Sequence, residues 1–451
     1  MKRFVRIFAI ALALTAVLAV SAFAADFTHC ADALHTLGLF QGTSTGYNLD
    51  RAPTRAEAAT MLVRLLGKET DAKALTYSAP FTDVPAWAQP YVQYLYDNGL
   101  TTGKTAAAFA PDDKCTAQQY AAFLLRALGY NEKSGDFTYA KAIDFATEKG
   151  VVDAFNCDET NFLRDDVAAM SYTALSVAPK SGETDLLTKL VKSGAVASDK
   201  GYEAIFAGLR EYNASAAASK DETKMRMTMD ATMKAVSGKQ NILDGTMKMD
   251  VSMDMNASAM DKSKMAATAS TKITVDASQT QDGKAATQTS DLAYYYTDGY
   301  YYMNMAGTKV KTPLSFENVL SQMDMSASES LPVSAVQTYA KSTGSDGTVT
   351  YTLNVAPGAF SSIMNKVSGL TGSLGATSDA SMKITNMTMT TSLKNGKTTG
   401  SDVDLGMDMT MNGQTVNFTM RIKATVVATG SAVTVTLPTD LSSYTLAAAQ
   451  G

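Results

Sequence analysis

One pattern is written three times between residues 26 and 178, and it constrains this chain more than any other feature. A helical segment runs into a glycine turn, and a second helical segment follows. The turns are LGLFQG (Leu37 to Gly42), NGLTTG (Asn98 to Gly103) and KGVVDA (Lys149 to Ala154). Glycine stands where a helix C-cap is expected. The second segments are TRAEAATMLVRLLG, TAQQYAAFLLRALG and LRDDVAAMSYTALS. Their apolar positions recur in register. Ala58, Met61, Leu62, Leu65 and Leu66 match Tyr120, Phe123, Leu124, Ala127 and Leu128. Val167, Met170, Ala174 and Leu175 match again, with Ser171 as the odd member. Each helix therefore carries one apolar stripe. A single helix pair is too small to bury its own stripe, so the three must pack together.

The start of the second segment separates two jobs. Thr54 and Glu57 form an S/T-x-x-E capping box, and Thr116 with Gln119 can form the same box. Leu163 cannot cap, so Asp165 and Asp166 are expected to act only on the helix dipole. Arg55 gains nothing from the helix, because a cation in the first turn opposes the macrodipole by a few tenths of a kcal/mol, on the order of 0.3. A guanidinium fork suits carboxylate or phosphate, which favours a ligand-facing Arg55 over a solvated or inter-repeat ion-pair role. Arg64 and Arg126 read as solvated or as C-terminal dipole partners. Trp87 reads equally as core or as a sugar platform, and Asp83 as a helix cap or a ligand-orienting group.

Phe81-x-Asp83-Val84, Trp87-Ala88, the Gly-Leu-x-x-Gly turn and Thr54-Arg55-Ala56-Glu57 together resemble S-layer homology motifs, which come in threes. The resemblance covers residues 26–178, with repeats at about 26–70, 80–130 and 136–178. It implies an all-α, pseudo-threefold bundle that binds anionic secondary cell-wall polysaccharide, often pyruvylated, in grooves between repeats. Carried over residue by residue, it implies polymer contacts at Arg55, Glu57, Asp83, Trp87 and Arg164. Repeat 2 departs from the pattern with Ala117 and Gln119, so its groove is the weakest expectation.

Lys2, Arg3 and Arg6, the apolar run after them and Ala22-Phe23-Ala24 form a secretory signal peptide over 1–24, cut after Ala24 or Ala25. No lipidation cysteine follows, and no other stretch is long enough to span a bilayer. A net charge of -5 disfavours nucleic acid. Cys30, Cys115 and Cys157 are an odd set, so one disulfide plus a thiol or three thiols both stay open. With two histidines and no C-x-x-C, zinc is not expected, and no cofactor is implied.

After about residue 200 the grammar changes. Of the 25 methionines, all but Met1, Met61 and Met170 lie there. Met247, Met249, Val251, Met253 and Met255 alternate with Lys248, Asp250, Ser252 and Asp254, which is the period of a strand with one apolar face. The same alternation recurs at Met225 to Met229, Leu405 to Met411 and Val416 to Ile422. Asp298-Gly299, Asn395-Gly396 and Asn412-Gly413 mark hairpins. Helical stretches are expected near 201–214, 315–323 and 357–370. Strand periodicity makes the methionines core or cavity lining rather than copper ligands. YYTDGYYYMNMAGTKVK, the paired Met strands and VTVTLPTDLSSY are similar to LolA/LppX-like lipoprotein domains. That resemblance implies a half-barrel over 201–446 with a lipid or other apolar ligand.

The expectation is a multidomain α+β chain: a signal peptide (1–24), the helical repeats (26–178), a linker (179–200) and a mostly antiparallel β domain (201–446). No histidine or cysteine follows Cys157, and no nucleophile elbow or P-loop is present. The chain is therefore read as a secreted, non-enzymatic protein of the cell wall or S-layer surface. A wall-remodelling enzyme and a purely structural S-layer-associated protein are the alternatives.

Overall fold

The structure is a computed structural model. It describes residues 27–153, 156–218, 223–256, 258–280, 283–316, 318, 331–356, 381–411 and 414–446. The signal peptide and the Asn412-Gly413 turn lie outside these residues. So do the helices expected near 315–323 and 357–370, except for Ser315, Phe316 and Asn318. The chain divides into two compact units. Unit 1 is Met1–Leu209 with Pro332–Gln337 and Ala356–Gly372, and unit 2 is the remainder.

In unit 1 three helix pairs follow one another: α1 (Thr28–Thr36) with α2 (Arg55–Leu65), α4 (Gln89–Asp97) with α5 (Ala117–Ala127), and α6 (Ala142–Glu148) with α7 (Arg164–Leu175). Short helices α3 (Glu69–Lys73) and α8 (Leu186–Lys192) are added, the second inside the expected linker. Gly38, Gly99 and Gly150 have φ of 73°, 67° and 76°, the left-handed state that ends the first helix of each pair. The stripes bury Ala58, Leu62, Tyr120, Leu124, Val167 and Met170. Ser171 belongs to the core because its hydroxyl bonds the Tyr120 phenol at 2.7 Å. A hydroxyl pair hidden between α5 and α7 satisfies both groups. His29 bonds the Ser334 carbonyl at 2.9 Å, so unit 1 uses more chain than residues 26–178.

Both expected capping boxes form. Glu57 N–H donates to Thr54 Oγ1 at 3.2 Å, and Thr54 N–H to Glu57 Oε2 at 2.9 Å. The two bonds of the Thr116/Gln119 box are 3.3 Å each. Helix α7 departs from expectation. Asp166 reaches back to accept from Leu163 N–H at 2.7 Å, which is half a box, and also from Asp158 N–H at 2.9 Å. Asp165 accepts Phe27 N–H with both oxygens, at 3.0 and 3.1 Å. These carboxylates therefore make specific bonds as well as answering the dipole.

Unit 2 is built on an open twelve-stranded sheet with order β12-β6-β5-β4-β3-β2-β1-β11-β10-β9-β8-β7. The strands are β1 (Lys224–Ser237), β2 (Gln240–Asp254), β3 (Lys264–Val275), β4 (Ala286–Thr297), β5 (Tyr300–Met305), β6 (Thr308–Pro313), β7 (Val336–Thr343), β8 (Val349–Val355), β9 (Ser381–Lys394), β10 (Lys397–Met411), β11 (Gln414–Thr429) and β12 (Thr445–Leu446). The long pairings are antiparallel, and β12 joins β6 in parallel. Asp298-Gly299 and Asn395-Gly396 turn with positive φ at both residues, as two-residue hairpins require. Register puts Met225, Met253, Met265, Tyr296 and Tyr301 in one row across five strands. Met253, Met265 and Tyr296 are buried there with Phe316, whose ring lies 4.8 Å from that of Tyr296. The helix expected near 201–214 is α9 (Lys200–Ala218). Within unit 2 its Glu211 accepts from the Tyr351 phenol at 2.9 Å and from Lys341 at 2.5 Å. No helix among the described residues is long and apolar enough to cross a membrane.

Two stability outcomes follow from this packing. Burial pushes the Asp166 carboxyl up to about 6, with the Asp158 charge adding to it and the backbone donors opposing it. A raised carboxyl favours the folded state at low pH, and that contribution fades as pH rises through about 6. Unfolding free energy of the wild type should therefore fall by about 2 kcal/mol more between pH 4 and 7 than that of Asp166→Asn. Parallel slopes in urea titrations at those pH values would disprove this. Met265→Ala should cost about 3 kcal/mol, because a buried methionine leaves a cavity between Met253 and Tyr296. Its urea midpoint measures that loss.

Candidate functional site

The first amides of an α-helix have no partner inside the helix. In α2 they are met by the loop that precedes α5. Arg55 N–H donates to the Asp113 carbonyl at 2.9 Å and Ala56 N–H to the Pro111 carbonyl at 3.0 Å. In α7 the loop preceding α2 does the same work. Arg164 N–H donates to Arg51 O at 2.9 Å and Asp165 N–H to Leu49 O at 3.1 Å.

The two arginines extend this contact with their side chains. Arg55 Nε donates to the Phe109 carbonyl at 2.9 Å, and its guanidinium lies 4.9 Å from the Phe109 ring centre. Arg164 Nε donates to the Tyr47 carbonyl at 3.0 Å. Arg55 is 5% exposed and Arg164 4%. The helix gives Arg55 no reason to exist, but the neighbouring loop does.

Asp83 holds that loop. Its carboxylate accepts Phe109 N–H at 2.8 Å and Ala110 N–H at 2.7 Å. Ala110 has a φ of 58°, a left-handed state costly for a residue with a Cβ. The corresponding residue of the first loop is Asn48, φ 52°, a residue type that tolerates that state better. Burial raises the Asp83 carboxyl, but the two amides and the Arg55 charge more than offset it, so it titrates below its usual range. Asp83 thus neither caps α4 nor stands apart. It aims the Phe109 carbonyl at Arg55.

The two arginines differ in their acidic surroundings. Arg164 Nη1 lies 3.8 Å from Glu57 Oε1, and Arg51 pairs with the same carboxylate at 2.5 Å. Burial raises the Glu57 carboxyl, and bonds from Arg51 and Thr54 with the Arg164 charge bring it below its usual range. Burial lowers the Arg164 guanidinium. Arg55 has no carboxylate within 4 Å among the described residues. It lines a groove of about 1030 Å³ with Gln119, Tyr96, Tyr139, Lys104, Arg126 and Lys133. Four cations and two carboxylates, Asp97 and Glu132, line the groove in all. Arg126 is no simple dipole partner, since it donates to the Leu100 carbonyl at 3.0 Å and bridges to Glu132. Arg64 is likewise engaged, with Glu69 at 3.0 Å. Gly103 also lines the groove, and a Cβ there would sit 2.4 Å from the Phe81 ring.

Of the five expected contact residues, Arg55 alone lines this groove. Glu57 and Arg164 meet at a different junction. Asp83 sits behind the Phe109 loop, and Trp87 is 54% exposed outside the lining. Gln119, Tyr96 and Tyr139 were not singled out as contacts. Gln119 was visible as a departure from the motif, whereas the two tyrosines carried no signal of their own. The cysteines are all free, and burial pushes Cys115 up to about 12. Among the described residues no group of three or more His, Cys, Asp or Glu side chains is placed to hold a metal. In unit 2 a trough of about 730 Å³ lies on the polar side of the sheet, lined by residues such as Asp230, Lys248, Asp250 and Asp291.

Two family models match the chain. The S-layer homology domain matches residues 80–121, and the "Family of unknown function (DUF6612)" matches residues 212–443. The Middle cell wall protein of Brevibacillus brevis is 30% identical over 156 residues, 34% of this chain and 15% of that protein. An endoglucanase from Bacillus sp. (strain KSM-635) is 38% identical over 100 residues, 22% of this chain and 10% of the enzyme. The cell surface protein of Thermoanaerobacter kivui is 33% identical over 128 residues, 27% of this chain and 17% of that protein. The chain thus spans less than a fifth of the length of each of these relatives. A solved DUF1329 family protein from Desulfovibrio piger is 8% identical and covers 49% of this chain and 93% of its own, with a TM-score of 0.16 that establishes no common fold. The chain belongs to the DUF6612 family and carries an S-layer homology domain ahead of the region that defines it.

Proposed function

We propose that the helical unit holds this protein on a cell wall by binding an anionic secondary cell-wall polysaccharide, and that the DUF6612 region is displayed from it. The observation that carries this reading is the Arg55 groove. Its guanidinium has no carboxylate partner within 4 Å among the described residues, and it shares the groove with the exposed rings of Tyr96 and Tyr139. A guanidinium fork matches a carboxylate or phosphate, including the carboxylate of a pyruvyl group. Aromatic faces match sugar rings. The names of the wall and surface relatives support the same placement. In this reading all three helix pairs are S-layer homology repeats, beyond the one segment matched. Arg55 contacts polymer, Asp83 positions it, and Trp87 offers a separate exposed face. Arg164 and Glu57 form a second junction whose charges already answer each other.

Full-length protein should sediment with wall preparations that retain the polymer and stay in solution with stripped walls. Equal binding to both would sink the reading. Arg55→Ala should weaken retention about tenfold, the loss of one charge-assisted contact. Arg55→Lys should fall between, since it keeps the charge and loses the fork. Melting curves on both variants separate lost binding from lost fold.

Unit 2 supports a second reading for its own surface. Met225, Met227 and Met229 of β1 are partly buried and not fully covered, the first two against the core of Met253, Met265 and Phe316. Such a surface favours a lipid or other apolar ligand, in line with the LolA/LppX-like resemblance of residues 201–446. Native mass spectrometry of the purified chain should show added lipid mass, and a bare polypeptide mass removes this reading.

A further inference from the structure

An open sheet has two edges, and unit 2 treats its two edges differently. The β6 edge is guarded. β12 pairs with it in parallel, Thr445 beside Val310 and Leu446 beside Lys311. The segment leading into β12 is pinned there. Asp440 bridges to Lys309, and the Tyr444 ring, 4% exposed, lies 5.4 Å from that of Tyr302. β6 itself carries Lys309, Lys311 and Pro313, residue types that discourage strand addition.

β7 forms the other edge. Its neighbour in the sheet is β8, and among the described residues no strand lies on its outer side. Val336 is buried, but from Gln337 to Thr343 every residue except half-buried Tyr339 is exposed. The stretch holds no proline and a single charged residue, Lys341. That charge is already answered by Glu211 at 2.5 Å, and it lies 5.8 Å from the Tyr351 ring centre. Nothing there blunts the edge. Alternate residues of the stretch turn their backbone N–H and C=O groups outward, where a further strand can pair with them.

The side chains of the edge select the occupant. Opposite residues of an antiparallel pair share a face, so a two-fold axis normal to the sheet sets one residue opposite its own copy. Ala340 is the midpoint of Gln337–Thr343. Centred there, Tyr339 of each copy faces Lys341 of the other, Thr338 faces Ser342, and Gln337 faces Thr343. These pairs match a ring with a cation, a hydroxyl with a hydroxyl, and an amide with a hydroxyl. Only a small alanine meets itself. Centred one residue later, Lys341 would face Lys341, and centred one residue earlier the overlap would run onto buried Val336. Tyr339 and Lys341 both already lie against Tyr351, the tyrosine rings 6.2 Å apart, so ordering them on association costs little.

We propose that β7 is an interaction surface for a second copy of this chain, which adds its own β7 antiparallel about a two-fold axis at Ala340. Because β12 covers the other edge, association stops at the dimer. The proposal is independent of the wall-binding reading of unit 1.

Sedimentation velocity of the full-length chain from about 1 to 100 μM, the range suited to a small interface, tests it. The wild type should pass from monomer to dimer as concentration rises. Ala340→Lys and Ala340→Glu each set like charges against each other at the axis. Ala340 is exposed, so the melting temperature should hold while dimerisation weakens at least about tenfold. An equimolar mixture of the two variants should dimerise again, because lysine then faces glutamate. A wild type that stays monomeric throughout overturns the proposal, as does a dimer that neither substitution weakens. Failure of the mixture to recover overturns the Ala340 register and the proposal with it. Assemblies larger than a dimer overturn closure by the two-fold. Hydrogen exchange of the wild type gives an answer that needs no substitution. Amides of Thr338 to Ser342 should gain protection with concentration, and equal exchange at both ends of the range overturns this edge as the contact.

Discussion

The orphan amides at the start of a helix are the constraint on which unit 1 depends. Four N–H groups at each second helix need acceptors that the helix cannot supply. The chain provides some from within the repeat, through the capping box. It provides others from a different repeat, through the carbonyls of Asp113 and Pro111 for α2 and of Arg51 and Leu49 for α7. Each such junction ties one pair to the loop of another, so the packing of pairs and the placement of loops are settled together. The arginine that follows the cap adds a side-chain bond to the same loop.

That arrangement explains how a helical scaffold acquires a polar groove. The loop before α5 cannot relax, because Asp83 holds two of its amides and Ala110 in a left-handed state. Strain of this kind persists only where surrounding groups over-determine it. Here it fixes the Phe109 carbonyl, which in turn fixes Arg55. Asp83 thus reaches Arg55 in two steps, through the loop amides and the Phe109 carbonyl.

Unit 2 solves a different problem. Its long strands bury methionine where valine or isoleucine would be the stiffer choice. An unbranched thioether fills irregular space between strands and aromatic rings, as at Met253, Met265, Tyr296 and Phe316. On the polar side, charge pairs such as Arg226 with Asp250 at 2.7 Å link neighbouring strands. Pairs this exposed contribute little to stability, about 0.2–1 kcal/mol each.

The local chemistry was legible in the residues themselves. Thr54 with Glu57 and Thr116 with Gln119 cap as their spacing requires, glycines end the first helices, and methionines alternate along strands. These outcomes depend on backbone geometry within a few residues, which sequence specifies directly. Ser171 looked like a flaw in its stripe, because its partner Tyr120 is 51 residues away. Arg55 looked like a residue without a structural purpose, because the Phe109 carbonyl belongs to another repeat. Gln119 reads in sequence as a departure from the motif, yet it closes the capping box of α5 and lines the groove with Arg55. Sequence by itself determined the caps, the turns and the two periodicities. Tertiary structure alone decided which arginine faces a carboxylate and which does not, since charge compensation depends on distances between repeats that no local pattern encodes.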